Sequence, residues 1–317
     1  MKTLVFSFLF IATSAFAFDD PFLRLHINQR SYINPGTVCP FCSGSCYLSY
    51  GTRHQHGDYH TQYTAQYAAF GNDARNQLHG PWDVSYMNFN SGRADVNAYS
   101  ARYAYAFEVG DWRAGIGIRS SYYVMKETIF SPEIGQVNNP PLPDSLQCSR
   151  GLFDADAGLM ITNLHGTYFG FSVRHLAAPV YVLQNEGYAF GEKGSLPRTW
   201  HAMAGTKIPI GDHFDISPEA TYQFNGKRGV FDGGAMFRYN YRWTAGMSWS
   251  TSPGSPHMSF RAGFTHNKFK WITSFEPQAG QWAVETGIVW RFLFQQECTG
   301  GPQKPKIFQD WEFGPRL

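Results

Sequence analysis

The stretch Trp282-Ala283-Val284-Glu285-Thr286-Gly287-Ile288-Val289-Trp290-Arg291-Phe292 alternates residue by residue. Trp282, Val284, Thr286, Ile288, Trp290 and Phe292 share a largely apolar, aromatic face, while Glu285, Gly287 and Arg291 lie on the other. A strand sorts side chains in this way; a helix of about 3.6 residues per turn would scatter them around a cylinder. The rhythm recurs where Trp243, Ala245, Met247 and Trp249 alternate with Arg242, Thr244, Gly246 and Ser248. It recurs again where Trp112, Ala114, Ile116 and Ile118 alternate with Arg113, Gly115, Gly117 and Arg119. From residue 46 to residue 292 such segments reverse at Gly, Asn, Asp or Pro. One face in lipid and the other around a polar lumen is the pattern of an outer-membrane β-barrel.

A soluble β-sandwich also has alternating strands, so composition has to separate the two. Aromatic residues make up 17% of the 317-residue chain and charged residues only 16%, which is sparse for a water-facing surface. In a barrel the aromatics have a place, at the two membrane interfaces and against the lipid tails. The 26 basic and 24 acidic residues leave a net charge of +2, with no basic stripe for nucleic acid. The first 17 residues have the form of a secretory signal, with Lys2, an apolar run from Leu4 to Ala12 and Ala15-Phe16-Ala17 as the cleavage site. Beyond it no apolar run is long enough for a spanning helix, in line with a mean hydropathy of −0.34.

The expected architecture is all-β, a transmembrane antiparallel up-and-down barrel of about fourteen strands, each near the ~9–11 residues that cross a tilted wall. The expected strands are 46–56, 59–70, 79–90, 95–107, 112–125, 152–162, 166–175, 198–209, 213–224, 229–239, 241–251, 256–266, 268–278 and 282–293. The expected divisions are a signal peptide (1–17), an N-terminal periplasmic segment (18–45), the barrel (46–293) and an irregular C-terminal periplasmic tail (294–317). The two long connections, 127–150 and 176–197, are the fifth and seventh, so both fall at one mouth. Such barrels carry long loops outside and short turns in the periplasm, which orients the chain.

With this register the inward face carries Arg102, Arg113, Arg119, Arg174, Lys207, Arg238, Arg242, Arg261, Lys270 and Arg291, opposed by Glu108, Asp154, Asp156, Glu219, Glu276 and Glu285. Gly115 and Gly117 beside Arg113 and Arg119 are expected to leave room for long side chains to cross the lumen. The charges form either an ion-pair lattice that fills the interior or the wall of a selective pore for small solutes.

Cys39, Cys42 and Cys46 form a cluster, and Cys148 and Cys298 stand alone. An oxidising compartment favours disulfides over a metal site, and loop parity puts Cys298 on the side of the cluster. Cys298 is therefore expected to pair with Cys39, Cys42 or Cys46. His54, His56 and His60 flank the first external hairpin as solvated surface. No spacing fixes a nucleophile with its base, so neither catalysis, a cofactor nor a metal is expected.

The mature start, Asp19-Asp20-Pro21-Phe22, leads through His26-Ile27-Asn28-Gln29 to Ile33-Asn34-Pro35-Gly36. This resembles the opening of the PorP/SprF family of type IX secretion outer-membrane proteins, with Asn34 and Pro35 in the family-like turn. In order along the chain, Tyr168-Phe169-Gly170-Phe171-Ser172-Val173, Arg198-Thr199-Trp200-His201, Phe214-Asp215-Ile216-Ser217-Pro218 and Trp290-Arg291-Phe292 resemble strands of that family. The resemblance implies a non-enzymatic role in type IX secretion or gliding, in the outer membrane and in contact with its lipids. It further implies two kinds of protein partner: a secreted adhesin or other cargo, and periplasmic components associated with peptidoglycan. Tyr181, Tyr188 and Phe190, in the second long external loop, are the candidate contacts for an exported partner.

Overall fold

The computed structural model describes residues 30–38, 45–56, 61–71, 82–90, 94–130, 145–163, 165–185, 188–240, 242–251, 256–267, 269–278 and 281–293. A single helical turn, α1 (Arg30–Ile33), precedes the strands. In chain order these are β1 (Ser45–His56), β2 (Thr61–Gly71), β3 (Trp82–Asn90), β4 (Ala94–Val109), β5 (Trp112–Phe130), β6 (Ser145–Asn163), β7 (Tyr168–Arg174), β8 (Val180–Asn185) and β9 (Tyr188–Ser195). They continue with β10 (Thr199–Gly205), β11 (Ile208–Ile210), β12 (Phe214–Phe224), β13 (Gly229–Tyr239), β14 (Trp243–Ser250), β15 (His257–His266), β16 (Phe269–Gln278) and β17 (Gln281–Leu293).

Every strand of the wall pairs antiparallel with two others. The order runs β1 to β7, then β10, then β12 to β17, and the β10–β12 and β1–β17 pairings complete the ring. The short β11 carries on from β10 along β12. The expected strands map one to one onto this ring, and β8 and β9 form a separate hairpin within the seventh connection.

Alternation decides which way each residue faces. Ile116, Ile118 and Tyr122 of β5 point outward while Gly117, Arg119 and Tyr123 point in. The outer face carries two aromatic belts. Trp82, Tyr105, Phe169, Tyr239, Trp243 and Trp290 circle the mouth with the short turns, and Tyr99, Tyr122, Phe153, Tyr222, Trp249 and Trp282 circle the other. Amphipathic rings at both levels with Ile118, Leu159 and Met247 between them are what a bilayer requires.

Three features depart from expectation. First, β5 and β6 stay paired to Phe130↔Ser145, well past the in-register belt pair Tyr122↔Phe153. From Tyr122 to Phe130, at about 3.3 Å per residue, the hairpin runs roughly 25 Å along its strands beyond the outer belt. Second, β7 is cut short at Arg174, where His175 takes a left-handed conformation (φ 56°) and Leu176 N–H bonds to the Ala155 carbonyl. The β8–β9 hairpin rises from this break. Third, residues 30–38 do not lie in the periplasm below the barrel but inside it, which corrects that part of the expected N-terminal segment.

A candidate functional site in the barrel lumen

Residues 31–36 and Val38 are buried against the inward faces of β4 to β7. The local fold of this plug follows from Asn34. Its N–H closes the helical turn on the Arg30 carbonyl (2.8 Å), and its Oδ1 accepts the Gly36 N–H (2.8 Å). Its carbonyl accepts both the N–H (3.0 Å) and the hydroxyl (2.7 Å) of Thr37. Pro35 fixes its own φ and has no N–H to satisfy, so the chain reverses with its polar groups used internally.

The wall receives the plug through its main chain. Arg119 Nη2 donates to the carbonyls of Ser31 and Tyr32 (2.6 Å each), and Arg102 Nη1 to those of Pro35 (3.0 Å) and Thr37 (2.9 Å). Ser172 Oγ donates to the Ile33 carbonyl (2.8 Å), and Asn34 Nδ2 donates back to the Leu159 carbonyl (2.9 Å). Buried carbonyls need such donors, and charge-assisted bonds are the stronger kind.

Close approach of two backbones requires that the wall carry no side chains there. Gly117 pairs with Gly158 across β5 and β6, and Met160 lies between Gly115 and Gly170. A Cβ at Gly117 would collide with the Pro35 carbonyl, and one at Gly115 with that of Gly36. At Gly158 it would meet Asn34 Oδ1, and at Gly170 it would lie 2.6 Å from Asn34 Nδ2. The room made by Gly115 and Gly117 is thus filled by the plug's backbone, not by long side chains crossing the lumen as the sequence suggested.

The plug also completes an apolar core inside the barrel. Tyr32 and Ile33 pack with Met87, Phe89, Val96, Ala98, Tyr123, Met125 and Leu152, on the outer half of the inward face. The Tyr32 hydroxyl reaches Met87 Sδ at 3.1 Å, and the Arg119 and Arg174 guanidiniums lie 5.4 and 4.7 Å from its ring centre. The lumen is therefore not uniformly polar, because a plug with apolar side chains needs an apolar seat.

The expected inward charges are largely where the register put them, and most form ion pairs. Arg102 pairs with Asp83 directly across β3 and β4. Arg119 and Arg174 flank Asp156 at 3.6 and 3.7 Å. On the far wall Arg261 bonds Glu219 at 2.7 Å, Arg238 grips both oxygens of Asp215 at 2.9 and 3.1 Å, and His257 meets Glu276 at 2.6 Å. Arg113 and Lys270 are half-buried, Glu108 is exposed at the short-turn mouth, and Glu285 is buried; Arg242, expected inward, is exposed in the short turn before β14, and the side chain of Arg291 lies outside the described residues. Arg102, Arg119, Arg261, Asp154, Asp156, Glu276 and Glu285 are between 1% and 4% exposed. Water in an open channel would wet these groups, so the lumen is closed around them among the described residues.

Among the described residues one group has metal-ligand geometry, Asp154, Asp156 and His175. Its atoms are already engaged: His175 Nδ1 with Asp154, His175 N–H with Asp156 Oδ1 (2.9 Å), and two guanidiniums with Asp156 Oδ2. Two cations beside the shared carboxylate oppose a third, so the trio acts as the clasp that ends β7. His54 faces outward and stacks on Trp282 at 5.5 Å.

Tyr181 sits opposite Gly194 and Tyr188 opposite Asn185 in the β8–β9 hairpin, with Phe190 also in β9. The disulfide candidates Cys39, Cys42 and Cys298 lie outside the described residues, and Cys46 is described only as a backbone position of β1. Sequence reasoning singled out Asn34 and Pro35, met Ile33, Ser172 and Asp215 only within family-like stretches and without a role, and missed Arg30, Ser31, Tyr32 and Asp83. The signal for the plug was present as Gly115, Gly117, Gly158 and Gly170, small residues at inward positions of three consecutive strands.

Known structures share this fold. The crystal structure of the Ralstonia pickettii toluene transporter TbuX is 10% identical, with a TM-score of 0.54 over 83% of this chain and 92% of that one. A monoaromatic hydrocarbon channel, CymD, is 11% identical, with a TM-score of 0.50 over 85% and 93%. At such identities the likeness is one of fold alone. No curated protein matches the chain. The sequence profile described as "Type IX secretion system membrane protein PorP/SprF" matches residues 15–283, with the Asn34-Pro35 plug and nearly the whole barrel inside the match. The chain, an outer-membrane β-barrel with residues 30–38 docked inside its wall, belongs to the PorP/SprF family of type IX secretion system membrane proteins.

Proposed function

We propose that this protein is a non-enzymatic barrel of the type IX secretion or gliding apparatus. In this role it retains secreted surface proteins, or assists their export, at its outer mouth, and it docks periplasmic components at its short-turn mouth. The observation that carries the proposal is the plug docked in the lumen. Most of the described inward charges are buried and paired, around a plug held by several main-chain bonds, which supports a closed platform over an open solute path. Rigid display is what such a barrel does well.

The outer rim supports the same view through its asymmetry. On one side stand the tall β5–β6 hairpin and, beside it, β8–β9. On the other, β12–β13 close through Asn225 and Arg228 in a tight turn. A partner seated on the low side would have the tall hairpins as a backstop, with Tyr181, Tyr188 and Phe190 carried on the nearer one.

The test is deletion of residues 186–195 in cells that display an adhesin through this system. Cell-bound adhesin should fall while barrel abundance and heat-modifiable mobility stay at the parental level. Full retention with residues 186–195 gone would remove β9, with Tyr188 and Phe190, from the contact.

A further inference from the structure

Both ends of the plug sit at the short-turn mouth. Arg30 places its guanidinium 4.0 Å from the ring centre of Tyr168, the first residue of β7 after the tight turn at Asn163 and Gly166. Val38 packs with Ala104 and Ala106, close to the β4–β5 turn at Gly110. Between these ends the chain rises to Tyr32, whose hydroxyl reaches Met87 well up β3. Residues 30–38 thus form a re-entrant loop with both of its ends toward one mouth. A chain passing through both mouths could leave only by threading; a loop of this kind can be drawn out whole.

The wall is built so that it would survive the loss. Arg102 keeps Asp83, Arg119 and Arg174 keep Asp156, and Arg261 keeps Glu219, because none of these pairs uses a plug atom. What the wall gives the plug is hydrogen bonds to carbonyls, a smooth glycine bed and an apolar seat for Tyr32 and Ile33; incoming water can replace the first, and the free energy of the lost apolar contacts is what tension has to supply. Buried charges left with partners are tolerated where orphaned ones are not.

We infer that residues 30–38 are a withdrawable seal: tension on the chain from the short-turn mouth draws the loop out, and the emptied barrel becomes an aqueous pore. This goes beyond retention at the outer rim and does not depend on it. It assigns the family-like Asn34-Pro35 turn to the apex region of a gate, and it makes the closed state an autoinhibited one.

The experiment uses the full-length chain in planar bilayers. Arg119→Met removes two bonds to the plug and should raise open probability at least tenfold over the parent. Deletion of 30–38 should give a steady conductance. As a converse test that does not rely on weakening, Cys39, Cys42, Cys46, Cys148 and Cys298 are replaced by Ser, and Val38→Cys with Ala106→Cys is introduced. Once mass spectrometry confirms the disulfide, the oxidised form should be silent under the voltages that open the parent, and dithiothreitol should restore openings. Equal open probability in the parent and Arg119→Met, or openings that persist in the oxidised lock, would overturn the inference.

Discussion

Asn34→Ala strikes the plug at the residue on which its fold turns. The change removes the acceptor of the Gly36 N–H and the donor to the Leu159 carbonyl, bonds of 2.8 and 2.9 Å. Asn34 is 0% exposed, so no water is at hand to replace either bond. Each buried polar group left unpaired costs about 1–3 kcal/mol, so the docked loop should lose about 2–5 kcal/mol. Since about 1.4 kcal/mol is a factor of ten, the undocked fraction should rise between about thirtyfold and three-thousandfold. Single-channel recording reads that fraction as open probability. Asn225→Ala is the matched control, because Asn225 Oδ1 accepts the Arg228 N–H at 2.8 Å in the same kind of turn on an exposed loop. An Asn34→Ala protein as quiet as the Asn225→Ala protein would refute the reasoning, since it would mean that the loop's hold does not depend on its central turn.

Gly117→Val should expel the plug through the collision with Pro35, yet be nearly neutral once 30–38 is deleted, because Val suits a strand; a double-mutant cycle on heat-modifiability midpoints measures this non-additivity. Glu219→Gln should lower the unfolding midpoint by leaving Arg261 short of its counter-charge, with a cost up to the roughly 3–5 kcal/mol seen for broken buried pairs; denaturant titration checks it. Ile118→Arg faces lipid between the belts and should cost about 2–4 kcal/mol of folding free energy in bilayers, whereas the same substitution at exposed Asp212 in a short turn should cost little.

The ring was legible because lipid imposes alternation on every strand between the belts. The expected and observed bounds of β13, 229–239, coincide, and the inward placement of Arg102, Arg119 and Arg261 followed from the same period. Where lipid ends, so does the signal. The expected β5 stops at residue 125, before Lys126-Glu127-Thr128, and its continuation to Phe130 is seen in its pairing with β6. The same holds for β8 and β9, which were expected only as loop.

Partners across the lumen were not legible either. Asp83 faces Arg102 on a neighbouring strand and falls out of the register, but Arg261 meets Glu219 from strands that do not touch, a matter of barrel diameter and tilt. The plug was hidden for a third reason. Nine residues with one helical turn carry no period, and their fate is written in the wall that receives them, as Gly115, Gly117, Gly158 and Gly170. A glycine patch on consecutive inward positions is the mark of a backbone passing close by.

Residues 30–38 dock inside the lumen of an intact outer-membrane barrel, and an electron cryomicroscopy map of the full-length protein in lipid nanodiscs reads that placement. Continuous main-chain density is expected from Arg30 to Val38 lying on Gly115, Gly117, Gly158 and Gly170, with Arg119 joined to the carbonyls of Ser31 and Tyr32. A solvent-filled lumen with that bed bare would contradict it.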